Sequence, residues 1–382
     1  MTILNKLLHK AKKSKSDEFY TQYVDIQKEV EAYLEYNPET FRDKVIYCNC
    51  DDPFESNFFR YFVLNFERIG LKQLITTNYK PSSVANTQLE LFDYYNTPIK
   101  SKGRPKVTAN KFIINSVGDI DGDGDFSLKD VALQLKQNKK NEWTPLEGDG
   151  DFQSEESISL LKRSDIVVTN PPFSLFREFI SQLDEYDKNF IIIGNVNAIT
   201  YRETFKLIKE NRLWLGASIH SGDREFRVPD DYPLTAASSR IDENGNKFIR
   251  VKGVRWFTNL DYKERYEDLI LYKSYTPEEY PKYENFDAIN VNKTKDIPVD
   301  YDGYIGVPIT FLDKYNPDQF EIIGLGISNS GIEIGVQPYK PEHKKYRKEV
   351  QKRGAVDGDL YMMEDGVVKV PYARILIKNK RI

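Results

Sequence analysis

The chain has 382 residues and an ordinary apolar content of 40%, which predicts two domains, or one large domain with an appended lobe, around a sizeable core. The net charge of −4 excludes a uniformly basic nucleic-acid coat protein, so polyanion binding has to use local patches of lysine and arginine. No run of about 18 apolar residues and no apolar signal core is present. We therefore expect a soluble, cytoplasmic protein without a membrane-spanning segment.

Strand and helix signals alternate through the first half of the chain. Predicted strands cover residues 44–49, 71–77, 112–117, 165–169 and 190–196. Predicted helices cover residues 57–69, 154–162, 174–183 and 201–211. Helices of this length between strands imply right-handed crossovers and a mainly parallel sheet, whose ligands bind beyond the carboxyl ends of the strands. The turn around Asp51 and the side chain of Asn170 both follow such strands, so we expect them to share one cleft.

The pattern changes after about residue 215. Short β-like runs there are separated by turn signals at residues 243–246, 301–303 and 365–366, and such signals are typical of irregular β structure. The fold prediction is therefore an α/β domain at residues 1–215 followed by a β-rich lobe at residues 216–382. The two cysteines, Cys48 and Cys50, lie one residue apart on a predicted strand, where a disulfide would be strained, so free thiols are expected.

The most informative motif is the strand end Asn170-Pro171-Pro172-Phe173, which runs directly into an amphipathic helix. The Asn170 side-chain oxygen and the Pro171 carbonyl are predicted to accept the two hydrogens of a planar amino group. This favours a pyramidal nitrogen whose lone pair can attack. The prolines preorganise both acceptors, and Phe173 is predicted to stack on a base. The alternative is that Asn-Pro-Pro only closes a strand, and the motif alone does not separate adenine in DNA from a glutamine amide or guanine in RNA.

The reaction that this motif predicts is an in-line methyl transfer, in which alignment of donor and acceptor supplies much of the acceleration. The ends of the neighbouring strands offer amides and carboxylates for S-adenosylmethionine, its methionine end next to the helix that begins near Ser56. The predicted cofactor-binding residues are Phe19, Tyr20, Thr21, Asn49, Asp51, Asp52, Pro53, Asn78, Asp149, Asp151 and Phe152. For each of them, an ordinary turn or core position is the alternative.

Six segments together resemble the EcoRI DNA (adenine-N6) methyltransferase family: residues 7–22, 48–53, 164–178, 195–197, 288–298 and 374–381. The resemblance implies a Rossmann-like S-adenosylmethionine-dependent sheet with a C-terminal target-recognition lobe. It also implies a monomeric, site-specific DNA adenine-N6 methyltransferase of a type II restriction–modification system, or an orphan methylase. Such an enzyme flips an adenine out of duplex DNA and protects the site from a restriction endonuclease, its functional partner. The sequence GAATTC is the natural expectation for the site.

The resemblance also favours the basic N-terminal arm as a DNA contact, through Lys10, Lys12, Lys13 and Lys15. A second basic segment, residues 340–353, is predicted to be helical and either contacts phosphates or forms a solvated face. This segment looks longer than the family pattern.

A calcium loop is the other predicted insertion, near residues 119–140. Residues 119–130 fit an EF-hand or dockerin-type pattern, with oxygen ligands at alternating positions and glycine at position 6. The predicted ligands are Asp119, Asp121, Asp123, Asp125 and Asp130. The alternative is an acidic turn that binds no ion, and methyl transfer itself does not need this ion.

Two other functions are compatible with parts of the sequence. A protein-glutamine or RNA methyltransferase would use the same motif, but the family-like second half argues against it. A DNA-binding module without catalysis would not need residues 170–173 together with a donor pocket.

Overall fold

The computed structural model describes residues 21–50, 56–79, 109–124, 126–137, 140–220, 222–228, 234 and 239–382. Contacts between residues divide the chain into two compact units. The first consists of the described residues up to Asn195 together with Gly216–Tyr262, and the second of Val196–Leu215 and Lys263–Ile382. This division differs from the predicted boundary at residue 215, because residues 216–262 make their contacts within the first unit. The functions predicted for residues 1–215 and 216–382 stay predictions.

The first unit combines helices with two separate sheets. Its described elements are α1 (Tyr23–Tyr36), β1 (Val45–Cys48), α2 (Asn57–Leu64), β2 (Gln73–Thr77), β3 (Asn110–Ile114), α3 (Leu128–Gln137), β4 (Glu142–Pro145), α4 (Glu155–Arg163), β5 (Ile166–Thr169), α5 (Phe176–Glu185), β6 (Asn189–Asn195), β8 (Asp223–Val228), β9 (Ser239–Ile241), β10 (Lys247–Lys252) and β11 (Val254–Thr258). The predicted alternation of strands and helices up to β6 is thus confirmed, with shifts of a few residues at the ends. Among the described helices of the whole chain, none is long and apolar enough to cross a membrane.

Seven strands of the first unit lie in one mixed sheet, in the order β4-β3-β2-β1-β5-β6-β11. The central strands β2, β1, β5 and β6 are parallel to one another. The strands β3, β4 and β11 pair antiparallel with their neighbours. The prediction of a mainly parallel sheet therefore holds for the centre and is wrong for the edges. Large aromatic side chains fill the adjoining core, for example Phe112, whose ring contacts those of Phe59 and Trp143 at centroid distances of 5.9 and 5.4 Å.

The order of the strands reverses at β1. From β1 the chain proceeds outward through β2 and β3, and then returns to place β5 on the other side of β1. Asp165 fixes this junction: its carboxylate accepts the N–H of Val45 at 2.7 Å, and its own N–H donates to the Val45 carbonyl at 2.9 Å. Ligand crevices in such sheets lie at the reversal, beyond the carboxyl ends of the strands. Asn49 and Asn170 follow those two ends.

The second unit is built largely from short β segments. Its described elements are α6 (Arg202–Lys209), β7 (Trp214–Leu215), β12 (Ala288–Asn290), β13 (Tyr304–Pro308), β14 (Phe320–Leu325), α7 (Ser328–Glu333), α8 (Pro341–Glu349), β15 (Met362–Glu364), β16 (Val367–Lys369) and β17 (Arg374–Asn379). Four strands form a sheet in the order β12-β13-β17-β14. The turn predicted at Asp365 and Gly366 joins β15 to β16, and both residues have positive φ, 49° and 75°, as the hairpin turns that suit twisted strands require.

One buried carboxylate connects α1 with a segment far away in the sequence. Glu29 is completely buried. It accepts hydrogen bonds from the N–H groups of Ala217 (2.9 Å) and Ser218 (2.8 Å) and from the hydroxyls of Ser218 (2.5 Å) and Tyr33 (2.5 Å). Burial raises the pKa of Glu29 above its ordinary value, and these hydrogen bonds oppose that shift. The carboxylate thereby fixes the chain that leads into β8.

Replacing Glu29 with Ala is expected to lower the free energy of unfolding by about 2 kcal/mol or more, because buried N–H and O–H donors lose their acceptor. Urea unfolding of the full chain measures this change. Glu35→Ala, at an exposed position of the same helix, is the control and should stay within about 0.5 kcal/mol. Equal stabilities of the two variants would contradict the role given to Glu29.

The contribution of Glu29 to the stability of the protein is expected to change with pH in one direction. A carboxyl group whose pKa is raised by folding contributes stability that is present below its unfolded pKa and is lost as the pH rises through its folded pKa. The stability of the wild-type chain relative to Glu29→Gln, which cannot titrate at this position, should therefore decrease from pH 5 to pH 8. A relative stability that is constant over this range and falls only as the pH drops below about 5 would show that the hydrogen bonds, and not burial, control the pKa of Glu29.

Candidate active site

The predicted catalytic residues follow β5 at the carboxyl edge of the central strands. Asn170 is only 3% exposed, both prolines are buried and Phe173 is half-buried. Pro172 has φ −56° and ψ 119°, and its carbonyl accepts the N–H of Leu175 at 2.9 Å. This bond closes a 3₁₀ turn over Phe173–Leu175 directly before α5. The motif is therefore a compact strand–turn–helix junction with Asn170 at its beginning.

A second turn, before α4, approaches the end of β2. Gly150 has φ +79°, and a Cβ atom built on it would lie 1.9 Å from the backbone oxygen of Asn78. Only glycine fits such a conformation at such a close approach. The next residues, Asp151 and Phe152, are thereby held beside this strand end. The ring of Phe152 also packs against Phe179 of α5, with centroids 5.1 Å apart.

The same turn is tied to α5 by a hydrogen bond. The buried Gln182 side chain donates from Nε2 to the carbonyl of Phe152 at 3.1 Å. Because α5 begins immediately after the motif, this bond couples the position of the turn to that of residues 170–173. The two segments are consequently held together by packing and by hydrogen bonding.

A cavity in the first unit joins these parts. It is lined by Asn49, Cys50, Tyr79, Gly150, Asp151, Phe152, Pro172 and Leu175. Three predicted cofactor residues, Asn49, Asp151 and Phe152, thus share one cavity with Pro172 of the motif. The sequence argument expected a cleft at the strand ends but did not single out Leu175, because a helix was expected from residue 174 and the 3₁₀ turn was not. Cys50 is half-buried and Cys48 is buried, and neither forms a disulfide bond, as predicted.

Two other predicted cofactor residues are engaged in local structure. Asp149 is exposed, and its side chain accepts the N–H of Asp151 at 3.1 Å. Asn78 is buried, and its Oδ1 atom accepts the N–H of Asn110 at 2.6 Å. Neither residue lines the cavity, whereas Tyr79, the neighbour of Asn78, does. The turn geometry thus distinguishes Asp151 from Asp149, which the sequence pattern could not.

Thr21 lies next to the helix that follows β1. It is buried, and its carbonyl accepts a hydrogen bond from the Asn57 side chain at 2.7 Å. The side chain of Ser56 caps α2 by accepting the N–H of Phe58 at 3.1 Å, which is the helix start predicted at this place. The remaining predicted cofactor and DNA residues lie outside the described residues: Phe19, Tyr20, Asp51, Asp52, Pro53, Lys10, Lys12, Lys13 and Lys15.

The predicted calcium loop brings three carboxylates together. Atoms of Asp119, Asp121 and Asp123 lie within 4.8 Å of one another, while Asp125 is outside the described residues. The Asp130 carboxylate, predicted as the last ligand, is buried and accepts hydrogen bonds from loop donors, namely the N–H groups of Ile120, Asp121 and Ser127 and the hydroxyl of Ser127. The Lys129 ammonium lies 2.5 Å from Asp121. These bonds explain the shape of the loop without an ion.

The second basic segment is helical, as predicted, in α8. Three of its lysines pair with acidic side chains: Lys340 with Glu284 at 2.6 Å, Lys344 with Asp357 at 2.7 Å and Lys345 with Glu349 at 4.0 Å. Much of the positive charge is therefore matched locally, which favours a solvated face over a phosphate contact.

An Asn-Pro-Pro-Phe strand end, beside a reversal of strand order and a cavity, defines the class of the protein as a methyltransferase that acts on an amino group. The family comparison specifies the amino group: the model of the family described as adenine-specific methyltransferase EcoRI matches residues 7–380, and the chain belongs to this family. The resemblance read from the sequence is thereby confirmed.

Three curated relatives agree with this assignment. The chain is 47% identical to the type II methyltransferase M.EcoRI of Escherichia coli, over 99% of this chain and 98% of the relative. It is 37% identical to M.MpnI of Mycoplasma pneumoniae, over 82% of this chain and 84% of the relative. It is also 37% identical to M.MgeORF184P of Mycoplasma genitalium, again over 82% and 84%. No solved structure is significantly similar to the chain.

Replacing Gly150 with Ala is expected to lower the free energy of unfolding by about 1–3 kcal/mol, because the added methyl group would collide with the Asn78 carbonyl at a positive φ. The displaced turn should also weaken the binding of S-adenosylmethionine, measured by isothermal titration calorimetry. Gly148→Ala is the matched control, since nothing lies within 4 Å of its added Cβ. If both variants bind the cofactor equally well, the close approach of Gly150 does not shape the cavity.

Proposed function

We propose that this adenine-specific methyltransferase transfers a methyl group from S-adenosylmethionine to the N6 amino nitrogen of an adenine flipped out of duplex DNA. The observation that carries the proposal is the position of residues 170–173, which end a central parallel strand beside the cavity at the strand-order reversal. The names of the relatives place them among type II methyltransferases. The proposed biological role is therefore the modification enzyme of a type II restriction–modification system, or an orphan methylase, with GAATTC as the expected site.

The cavity residues fit S-adenosylmethionine by their chemistry. The Phe152 and Tyr79 rings and the Leu175 side chain offer apolar surfaces for an adenine ring, whereas Asn49 and Asp151 offer polar groups for amino and hydroxyl groups. When bound, the cofactor supplies a methyl group on a sulfonium centre, which is electrophilic and leaves a neutral thioether. The strand order and the position of the cavity support a Rossmann-like fold for the domain that binds the cofactor.

The chain's own residues have to prepare the nucleophile. Asn170 and the Pro171 carbonyl accept the two amino hydrogens, which localises the nitrogen lone pair towards the methyl carbon. With S-adenosylmethionine bound, the nitrogen held by Asn170 and Pro171 would take the methyl group as the carbon–sulfur bond breaks, and the extra proton would leave the nitrogen for solvent. Burial of Asn170 strengthens these hydrogen bonds, because water does not compete for the acceptor. Phe173 stacks on the flipped base and offsets part of the cost of unstacking it.

Duplex DNA is the proposed macromolecular partner, bound by a monomer. The N-terminal lysines and the C-terminal half of the chain are the proposed contacts for phosphates and for the recognition sequence. A restriction endonuclease with the same site would be a functional partner only, since methylation protects DNA without any contact between the two proteins.

Replacing Asn170 with Ala is expected to lower kcat for methyl transfer by at least about 100-fold, because one preorganised acceptor for the amino group is lost. Transfer of tritium from S-adenosylmethionine to duplex DNA, followed by nucleoside analysis, measures the rate. Binding of DNA should remain largely intact. The exposed residue Asn189 provides the control, and Asn189→Ala should retain normal activity.

Two outcomes of this assay would contradict the proposal. Full activity of Asn170→Ala would refute the role of its side chain. Absence of label from N6-methyladenine in the reaction with folded wild-type protein would refute the reaction itself. Single-molecule sequencing of the methylated DNA then identifies the recognition sequence.

Calcium binding by residues 119–130 stays a prediction, supported by the proximity of Asp119, Asp121 and Asp123. If the loop binds the ion, calorimetric titration of chelator-treated protein with Ca²⁺ should show one site that is lost in Asp121→Ala/Asp123→Ala. Absence of heat from the wild-type protein would show that the loop is an acidic turn held by Lys129 and Asp130.

A further inference from the structure

The second sheet of the first unit has two chemically different faces. It contains β8, β10 and β9, in that order and all antiparallel. Side chains alternate between the faces of a strand, so Phe226 and Val228 lie on one face, and both are buried. Arg224 on the same face approaches Asp25 of α1 at 3.9 Å. This inner face therefore packs on the rest of the unit, and the opposite face is directed away from α1.

The outer face carries a concentration of positive charge. Its members are related by the strand register, in which Arg227 and Arg240 both pair with Phe248, Glu225 pairs with Arg250, and Asp223 pairs with Lys252. Four cationic side chains and two carboxylates thus share one face with the ring of Phe248. The side chains of Arg240 and Arg250 are 50% and 62% exposed. We call this surface the ribbon face.

The ribbon face is held in a fixed geometry. The guanidinium of Arg240 stacks over the ring of Phe248, 4.3 Å from its centroid. It also forms a two-point ion pair with Glu225, at 2.8 and 2.6 Å. This ion pair holds the pKa of Glu225 below its ordinary value. Arg250 lies 4.0 Å from the same carboxylate. Glu225 therefore spaces and orients two arginines, so they lose less side-chain entropy when they bind a ligand.

The positive charge of the ribbon face contrasts with the negative net charge of the whole chain. The chain as a whole carries a net charge of −4, yet among the described strand residues of this face four are cationic and two are carboxylates. Arginines on a solvent-exposed antiparallel sheet are opposite in charge to a duplex phosphate backbone, and β-ribbons are one of the elements that dock on DNA. Among the described residues of this face, Phe248 carries the one large ring, and the Arg240 guanidinium stacks on it, which favours a charged partner over an apolar one.

We propose that the ribbon face, through Arg227, Arg240, Arg250 and Lys252, binds the phosphate backbone of the substrate DNA. The inference rests on the proposed function, which supplies duplex DNA as the substrate. It assigns part of the phosphate contacts expected from the C-terminal half to one defined surface, which belongs to the first unit. Its contribution to binding is electrostatic and does not depend on the base sequence.

The salt dependence of DNA binding tests the proposal. Fluorescence anisotropy with a labelled GAATTC duplex and the full-length protein gives the slope of log K against log of salt concentration. Each lost phosphate contact reduces this slope by about 0.9. The variant Arg250→Gln/Lys252→Gln should therefore reduce it by about 2, weaken binding at 0.15 M salt about tenfold or more, and raise the KM for DNA. Lys72→Gln, an exposed cation preceding β2, should leave both slope and affinity unchanged.

A variant with increased affinity for DNA tests the proposal in a way that misfolding cannot imitate. Asp223→Asn removes a negative charge from the ribbon face and should tighten DNA binding about threefold at low salt. The proposal is overturned if the double variant, with wild-type thermal unfolding, keeps the wild-type slope and affinity, or if Lys72→Gln weakens binding equally. Those results would not affect the conclusion that the wild-type protein methylates adenine. A wild-type protein that transfers no label to adenine would instead contradict the proposed function.

Discussion

The parallel pairing of β1 with β5 is the constraint on which the site depends. Each strand ends in a polar segment, at Asn49 and at Asn170, and these segments meet only because the two strands are neighbours that run in the same direction. The two hydrogen bonds between Asp165 and Val45 set where the pairing begins. A shift by one residue would turn every side chain of β5 to the opposite face. The position of the amide that is proposed to hold the substrate is thus decided at the other end of the strand.

Much of the fold could be predicted because its signals are local. The Ile-Val-Val run of β5 and the apolar run of β6 are buried on both faces, which is typical of central parallel strands. The prolines of the motif and the serine cap of α2 mark ends of elements wherever they occur. The antiparallel direction of β3 and β11 could not be predicted, because the residues of those strands do not indicate which neighbouring strand they pair with. For the same reason the boundary at residue 215 did not anticipate that β11 joins the first sheet.

The position of the site at the strand ends could be predicted from the sequence. Which of several similar residues line the cavity could not. Asp149 and Asp151 stand in the same Gly-Asp-Gly-Asp pattern, yet only Asp151 lines the cavity. The difference arises from the approach of Gly150 to Asn78, two residues that are remote in sequence. Leu175 was missed because the N–H to carbonyl bond with Pro172 tightens the chain into a 3₁₀ turn. The ribbon face was missed because its charge becomes visible only when three strands are laid in register.

The contact between Glu29 and Ser218 joins residues 189 positions apart. During synthesis on the ribosome, the sheet of the first unit therefore lacks β11, and Glu29 lacks its partners Ala217 and Ser218, until residues 216–262 have emerged. Until then the nascent chain exposes one edge of β6, and an unpaired strand edge is a template for aggregation. Contacts of such sequence separation also slow folding. A cell that needs its DNA protected promptly thus depends on how fast the middle of this chain is translated, and a fragment ending near Asn195 would be an aggregation-prone product.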